Sequence, residues 1–230
     1  MDKKVWRIAL LPIKKTELTG TWNPNIYLYF ILPAYFLVLY PSVQFFFQDS
    51  RWISRYAYTA FQTLTLLSMA RKTTLKELGW SPVYLRQHLL IGGVCGAIVL
   101  GALPLLDVLF SNLSTVQKAT GQNPDWPIET LPAILLLPLL EQTFFSGLIA
   151  QSLFKKFKPI LGIYLAAVIF TLAHFTLNFG VFSLGFITTG LFYLTGTLYA
   201  PFIFQISCQL AGVLLIQIYP NLITFLGFLF

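Results

Sequence analysis

The chain has 230 residues, of which 57% are hydrophobic and only 10% charged, with a mean hydropathy of +0.74. Soluble domains carry about 25% charged residues, so this composition excludes an ordinary soluble enzyme and describes an integral membrane protein. The net charge of +7 excludes little by itself. Basic residues confined to short segments between apolar runs set topology and meet anionic headgroups, and no nucleic-acid footprint is expected.

In chain order, residues 1–25 are basic and mixed, without the short apolar region and small-residue cleavage site of a removable signal. Seven apolar runs then read as membrane spans, at about 26–47, 52–70, 88–110, 131–153, 159–177, 180–197 and 200–218. The second is the most interrupted, by Arg55, Gln62 and several hydroxyl residues. With the N-terminus on the cytoplasmic side, Arg51, Arg55 and Lys118 fall outside and the other 12 of 15 basic residues inside, as the positive-inside rule requires. Ser111–Thr130 is the longest polar loop and is read as a connection; it contains the sequon Asn112-Leu113-Ser114. Asn221–Phe230 is too short to span. No linker or internal repeat divides the chain, so the expected architecture is all-α, one membrane domain over residues 1–230. Cys95 and Cys208 both lie in apolar runs and read as buried free thiols.

Three polar features interrupt the apolar runs. Glu141 stands inside LPAILLLPLLEQTFFSGLIAQSL (Leu131 to Leu153). A carboxylate at that depth costs at least ~2.5–3.5 kcal/mol on insertion scales, so it marks a functional site with a partner. Of the two histidines, His88 opens the third span beside Arg86 and Gln87 and is expected to be a solvated interfacial residue. His174, deep in the fifth span, needs a hydrogen-bond partner, and Glu141 is the deep carboxylate available to it. Gln205 and Gln209 stand at i and i+4 on one helical face of the last span. The Glu–His pair and the glutamines read either as a reactive cluster or as interhelical glue. Counted from the inner ends at 1.5 Å per residue, His174 lies about 21 Å deep and Gln205 about 8 Å. Assembly therefore requires tilted or broken helices, with Pro138 and Pro201 as places to kink.

The runs EQTFFSG (Glu141 to Gly147), FTLAH (Phe170 to His174) and TGTLYAPFIFQISCQ (Thr195 to Gln209) resemble the CAAX-protease and bacteriocin-processing family of glutamic-type (Abi-type) intramembrane endopeptidases. That family has the motifs EExxxR, FxxxH and HxxxN in this order. LKELGW (Leu75 to Trp80) is similar to its usual lead-in, and the resemblance spans about residues 75–210. It implies that Glu141 is the water-activating base and His174 its partner. Gln205 falls on the third-motif His position and Gln209 on the Asn position, where both can still donate N–H groups to an oxyanion.

Three departures stand out. Gln142 replaces the second Glu, Ser146 replaces the Arg, and no His follows His174. The first two are physically coupled, because losing one member of a buried ion pair strands a charge at a cost of about 3–5 kcal/mol, whereas losing both leaves neutral groups. No cofactor is expected. Zinc is not either, since one Glu and one His fall short of the usual three protein ligands. The expected activity is hydrolysis of peptide bonds in membrane-associated peptides or proteins by Glu/His-activated water. The alternative is an inactive protease-like protein that binds or stabilises membrane-protein partners; a transporter or lipid-handling protein is a more distant one. The lipid bilayer is the other expected partner, and oligomeric state does not follow from the sequence.

Overall fold

A computed structural model describes residue 34 and residues 59–67, 74–105, 130–174 and 179–218. The first expected span except residue 34, the basic N-terminal segment, the loop at 111–129 and the C-terminal decapeptide lie outside these residues. Of the second span, only the helical stretch 59–67 is described. All regular structure among the described residues is helical.

Helices lie close to the places expected for the later spans. Helix α1 is Leu85–Gly101, α2 is Thr130–Glu141, α3 is Gln151–Lys156, α4 is Pro159–Ala173, α5 is Phe179–Thr195 and α6 is Tyr199–Ile218. Between α2 and α3 the chain stays helical but widens into a π-helix over Gln142–Ala150, so the three segments form one rod. The rod is mostly buried, whereas α1 is mostly exposed. Both are long and apolar enough to cross a membrane; α4, α5 and the Tyr199–Leu214 part of α6 are shorter apolar helices.

The connections follow from local sequence. The residue before a proline is pushed out of the helical region, and Lys158 is extended (φ −63°, ψ 149°) with Pro159 opening α4. Lys155 and Lys156 lie in the last turn of α3, the favourable end of the helix dipole for cations. Gly196, with φ +69°, closes α5 through its N–H to the Phe192 carbonyl at 2.8 Å.

The core is aromatic and centred on the rod. Phe144, Phe145, Leu148, Ile149, Leu153 and Phe154 pack with Phe170 of α4, Phe192 of α5 and Leu198. Phe145 meets Phe144 and Phe170 edge-on, with ring centroids 5.1 and 5.0 Å apart. The outside is apolar too: Leu90, Ile98, Leu135, Leu136, Ile160 and Phe179 are all exposed, while Glu141, Gln142, Ser146 and Gln205 are buried. Polar groups inside and hydrocarbon outside suit lipid as the surrounding solvent.

Small residues let α1 lie against α6. His88, Gly92 and Gly96 form its buried stripe. A Cβ on Gly92 would come within 2.6 Å of the Ala200 carbonyl oxygen, and one on Gly96 would collide with the Ser207 side chain. This is close backbone approach of the small-xxx-small kind. It also overturns the expectation for His88, which is buried and paired through Nδ1 with Thr197 Oγ1 at 2.8 Å. One turn from Gly92 on the same stripe, it is carried against α6 instead of into the headgroups.

Residues 74–80 act as a strap across the rod. Thr74 and Glu77 form a reciprocal capping pair, with the Thr74 N–H donating to Glu77 Oε2 (2.9 Å) and the Glu77 N–H to Thr74 Oγ1 (3.3 Å). Gly79 takes φ +106°, and its carbonyl accepts from the Leu198 N–H at 3.0 Å. Gln151 Nε2 donates to the Glu77 carbonyl (3.0 Å), and Trp80 Nε1 donates to Thr143 Oγ1 (3.0 Å). A Cβ on Gly147 would stand 2.6 Å from the Leu78 carbonyl oxygen, so the strap sits directly on the π-helix.

Gly92→Ala and Gly93→Ala separate packing from propensity, because a Cβ at Gly93 meets nothing within 4 Å. Gly92→Ala is expected to destabilise by about 1–3 kcal/mol through overpacking. Gly93→Ala is expected to be neutral or to stabilise by up to about 1 kcal/mol. Reversible unfolding of the two variants in detergent micelles checks this.

Candidate functional site

Glu141 is the last α-helical residue before the π-helix and is 2% exposed. A carboxylate buried so completely needs a donor at each oxygen. His174 Nε2 lies 3.2 Å from Oε1. Gln205 Nε2 donates to Oε2 at 2.5 Å. The expected pairing of Glu141 is with His174, with Gln205 and Gln209 in the same polar cluster; here His174 and Gln205 both reach the carboxylate. Helix α4 ends at Ala173, with His174 as its C-cap, four residues short of the expected end of that span. Pro138 stands inside α2, just ahead of the π-helix. Pro201 is in the first turn of α6, where a proline is accommodated without a kink.

His174 is oriented by its own helix. Its Nδ1 is 2.7 Å from the Phe170 carbonyl oxygen, and its ring stacks at a tilt on Phe170 with centroids 4.3 Å apart. The FxxxH spacing is therefore a one-turn clamp: the aromatic ring supports the imidazole, and its carbonyl fixes the tautomer. A carbonyl only accepts, so Nδ1 carries a hydrogen. Nε2 then faces a carboxylate oxygen, and that contact becomes a hydrogen bond when one further proton is shared by the pair. With one proton shared, the pair would be an imidazolium beside a carboxylate or an imidazole beside a carboxylic acid. The His174 side chain is 26% exposed against 3% for Glu141, so the imidazole edge is where the site opens.

Three of the four positions that differ from the family motifs, Gln142, Ser146 and Gln205, are joined to one another. Ser146 Oγ donates to Gln142 Oε1 at 2.7 Å. Gln142 Nε2 donates to Gln205 Oε1 at 2.5 Å. Gln205 in turn donates to Glu141. A neutral relay of hydroxyl, amide and amide thus ends on the carboxylate. The sequence argument treats Gln142 and Ser146 as what remains of a lost ion pair; in the structure both are part of the site. Gln209 stands one turn beyond Gln205 in α6, half-buried, and among the described residues makes no hydrogen bond to Glu141, His174 or Gln205.

Trp80, Thr143 and Phe170 also position the site, and sequence reasoning gave them no such role. Thr143 Oγ1 accepts from Trp80 while donating to the Leu139 carbonyl at 2.6 Å, fixing the strap beside Glu141. The available signal was the polar Thr143 within an apolar run and the indole N–H of Trp80, which needs an acceptor when buried.

Gln142→Met and Gln205→Met each strand a buried polar partner, with an expected cost of about 1–3 kcal/mol. Since the two amides bond to each other, the double variant is expected to be non-additive by about 0.5–3 kcal/mol in a double-mutant unfolding cycle.

No curated protein and no solved structure matches the chain. Residues 123–211 match the sequence model described as type II CAAX prenyl endopeptidase Rce1-like, a segment that contains Glu141, Gln142, Ser146, His174, Gln205 and Gln209. Together with two helices long and apolar enough to span a bilayer, that match makes this an integral membrane protein. Over the segment that builds its buried carboxylate site, the chain is similar to the Rce1-like type II CAAX prenyl endopeptidases.

Proposed function

We propose that the protein is an intramembrane endopeptidase that hydrolyses peptide bonds in membrane-associated peptides or proteins, with Glu141 and His174 as its acid–base pair. The observation that carries this reading is the 3.2 Å contact between Glu141 Oε1 and His174 Nε2 inside the family-matched segment. A pair holding one shared proton is correctly charged for amide hydrolysis. Glu141 takes a proton from water as the oxygen attacks the scissile carbonyl. The imidazolium then gives its proton to the departing amine as the C–N bond breaks. Transfer of the proton from Glu141 to His174 restores the starting state.

The Gln205 amide nitrogen has two hydrogens, and Glu141 uses one. The second is available to an oxyanion, and Gln209 offers a further amide one turn away. These groups supply hydrogen bonds where the family motif has His and Asn. The reading also includes a single multi-pass membrane domain with its N-terminus on the cytoplasmic side.

One observation favours a second reading, a protease-like protein that binds or stabilises membrane-protein partners without cleaving them. Both oxygens of Glu141 are already engaged by protein groups, as interhelical glue would require.

Cleavage by purified protein in vesicles, against prenylated and unprenylated membrane-associated peptides with mass-spectrometric readout, separates the two. Glu141→Gln is expected to abolish products, with at least about a 100-fold loss. Gln205→Leu is expected to lower kcat by about 100- to 1,000-fold if it holds the oxyanion. Absence of wild-type products, while an active CAAX endopeptidase cleaves the same set, would move the assignment to the partner-binding protein.

A further inference from the structure

We propose that Ser146 and Gln142 are positioning residues: through Gln205 they hold Glu141 Oε2 as a hydrogen-bond acceptor, so that the proton exchanged in the reaction is taken and released at Oε1, beside His174. This rests on the endopeptidase reading and adds to it the direction of proton traffic.

A glutamine side chain is nearly symmetric in shape but not in chemistry. Turned one way it presents N–H groups; turned the other it presents only acceptor lone pairs. Next to an ionised Glu141, the N–H orientation of Gln205 is favoured without help. Once Glu141 has taken a proton from water, that preference disappears, because an acid O–H at Oε2 bonds well to a carboxamide oxygen. A lone Gln205 could then turn over and trap the proton on the side away from His174.

The relay opposes this turn. Gln205 Oε1 already accepts from Gln142 Nε2, and Gln142 Oε1 accepts from Ser146 Oγ. Gln142, Ser146 and Gln205 are each 1% exposed, so water cannot replace a broken link. Turning Gln205 alone would oppose its nitrogen to the Gln142 nitrogen. All three groups must reverse together, inside a packed rod. The family's Glu and Arg at these positions are an acceptor and a donor of fixed polarity; here direction is a property of the linked chain.

The test uses the full-length protein reconstituted in vesicles, with two readouts: kcat and KM for a cleaved peptide, and the infrared carboxyl band of Glu141, assigned by its loss in Glu141→Gln. Ser146→Thr keeps the hydroxyl and Ser146→Val removes it at nearly the same volume. Gln142→Met removes both amide groups. Expected are a kcat about tenfold lower for Ser146→Val than for Ser146→Thr with KM within about twofold, a larger loss in Gln142→Met, and a Glu141 band displaced in Gln142→Met and Ser146→Val but not in Ser146→Thr. An undisplaced band in both of those variants, or equal kcat for the two Ser146 variants, overturns the proposal. If wild type cleaves nothing, the endopeptidase reading fails, while the band alone still decides whether the relay holds Glu141. If Gln142→Met fails to fold, the Ser146 pair decides.

Discussion

A carboxylate held in a rod of leucine and phenylalanine is the constraint around which this molecule is arranged. Among the described residues no arginine pairs with Glu141, and each of its oxygens is met by a group from another helix. That pairing fixes the mutual placement of α2, α4 and α6: α4 must end where His174 reaches Oε1, and the first turns of α6 must bring Gln205 to Oε2. The surrounding packing serves these distances. Glycines on α1 allow it to press α6 into place, and the strap at residues 74–80 ties the rod to Leu198 at the start of α6.

Three of the departures from the family motifs form a set. Each, taken singly, would harm a buried site. A second carboxylate without its arginine would be an uncompensated charge, and an amide at residue 205 facing that carboxylate would lack a donor for its oxygen. Replaced together by Gln142, Ser146 and Gln205, they supply matching donors and acceptors with no net charge. Fully satisfied polar networks of this kind specify one arrangement of a core, and partly satisfied ones do not.

How much of this was legible in the sequence depends on the kind of signal. Glu141 and His174 stood out because ionisable groups in apolar runs have few explanations, and the pairing of the two followed by elimination. Gln205 was found from its i, i+4 spacing with Gln209, yet only Gln205 reaches Glu141, since helical phase says which face a residue occupies and not how far along that face the partner lies. Helix positions among the described residues were readable from hydropathy. The early end of α4 was not, because nothing apolar stops at Ala173. His88 was misjudged for a related reason: its neighbours Arg86 and Gln87 look interfacial, and the signal for burial was Gly92 and Gly96, one and two turns away. The relay was illegible because its residues were read against a motif, as losses.

The π-helix at Gln142–Ala150 has a consequence for how this chain can vary. Its i→i+5 closure accommodates one more residue per turn than a neighbouring α-helix would with i→i+4 closure. Removing a single residue within it would let the rod revert to α-geometry, the better hydrogen-bonded form. Because a wide turn advances less per residue than an α-turn, that reversion and the lost residue offset each other in rotation, and the chain beyond would keep roughly its facing. A residue inserted there, with no reversion to absorb it, would instead rotate everything beyond by roughly 100°, taking Gln151 from the Glu77 carbonyl and Phe154 from the hollow that Gly162 keeps open. Gln142 and Ser146 lie within the segment, so a change of its length would also reach the relay that ends on Glu141. The segment is thus more tolerant of changed side chains than of changed length, and its spacing from Glu141 to Gln151 is a structural ruler.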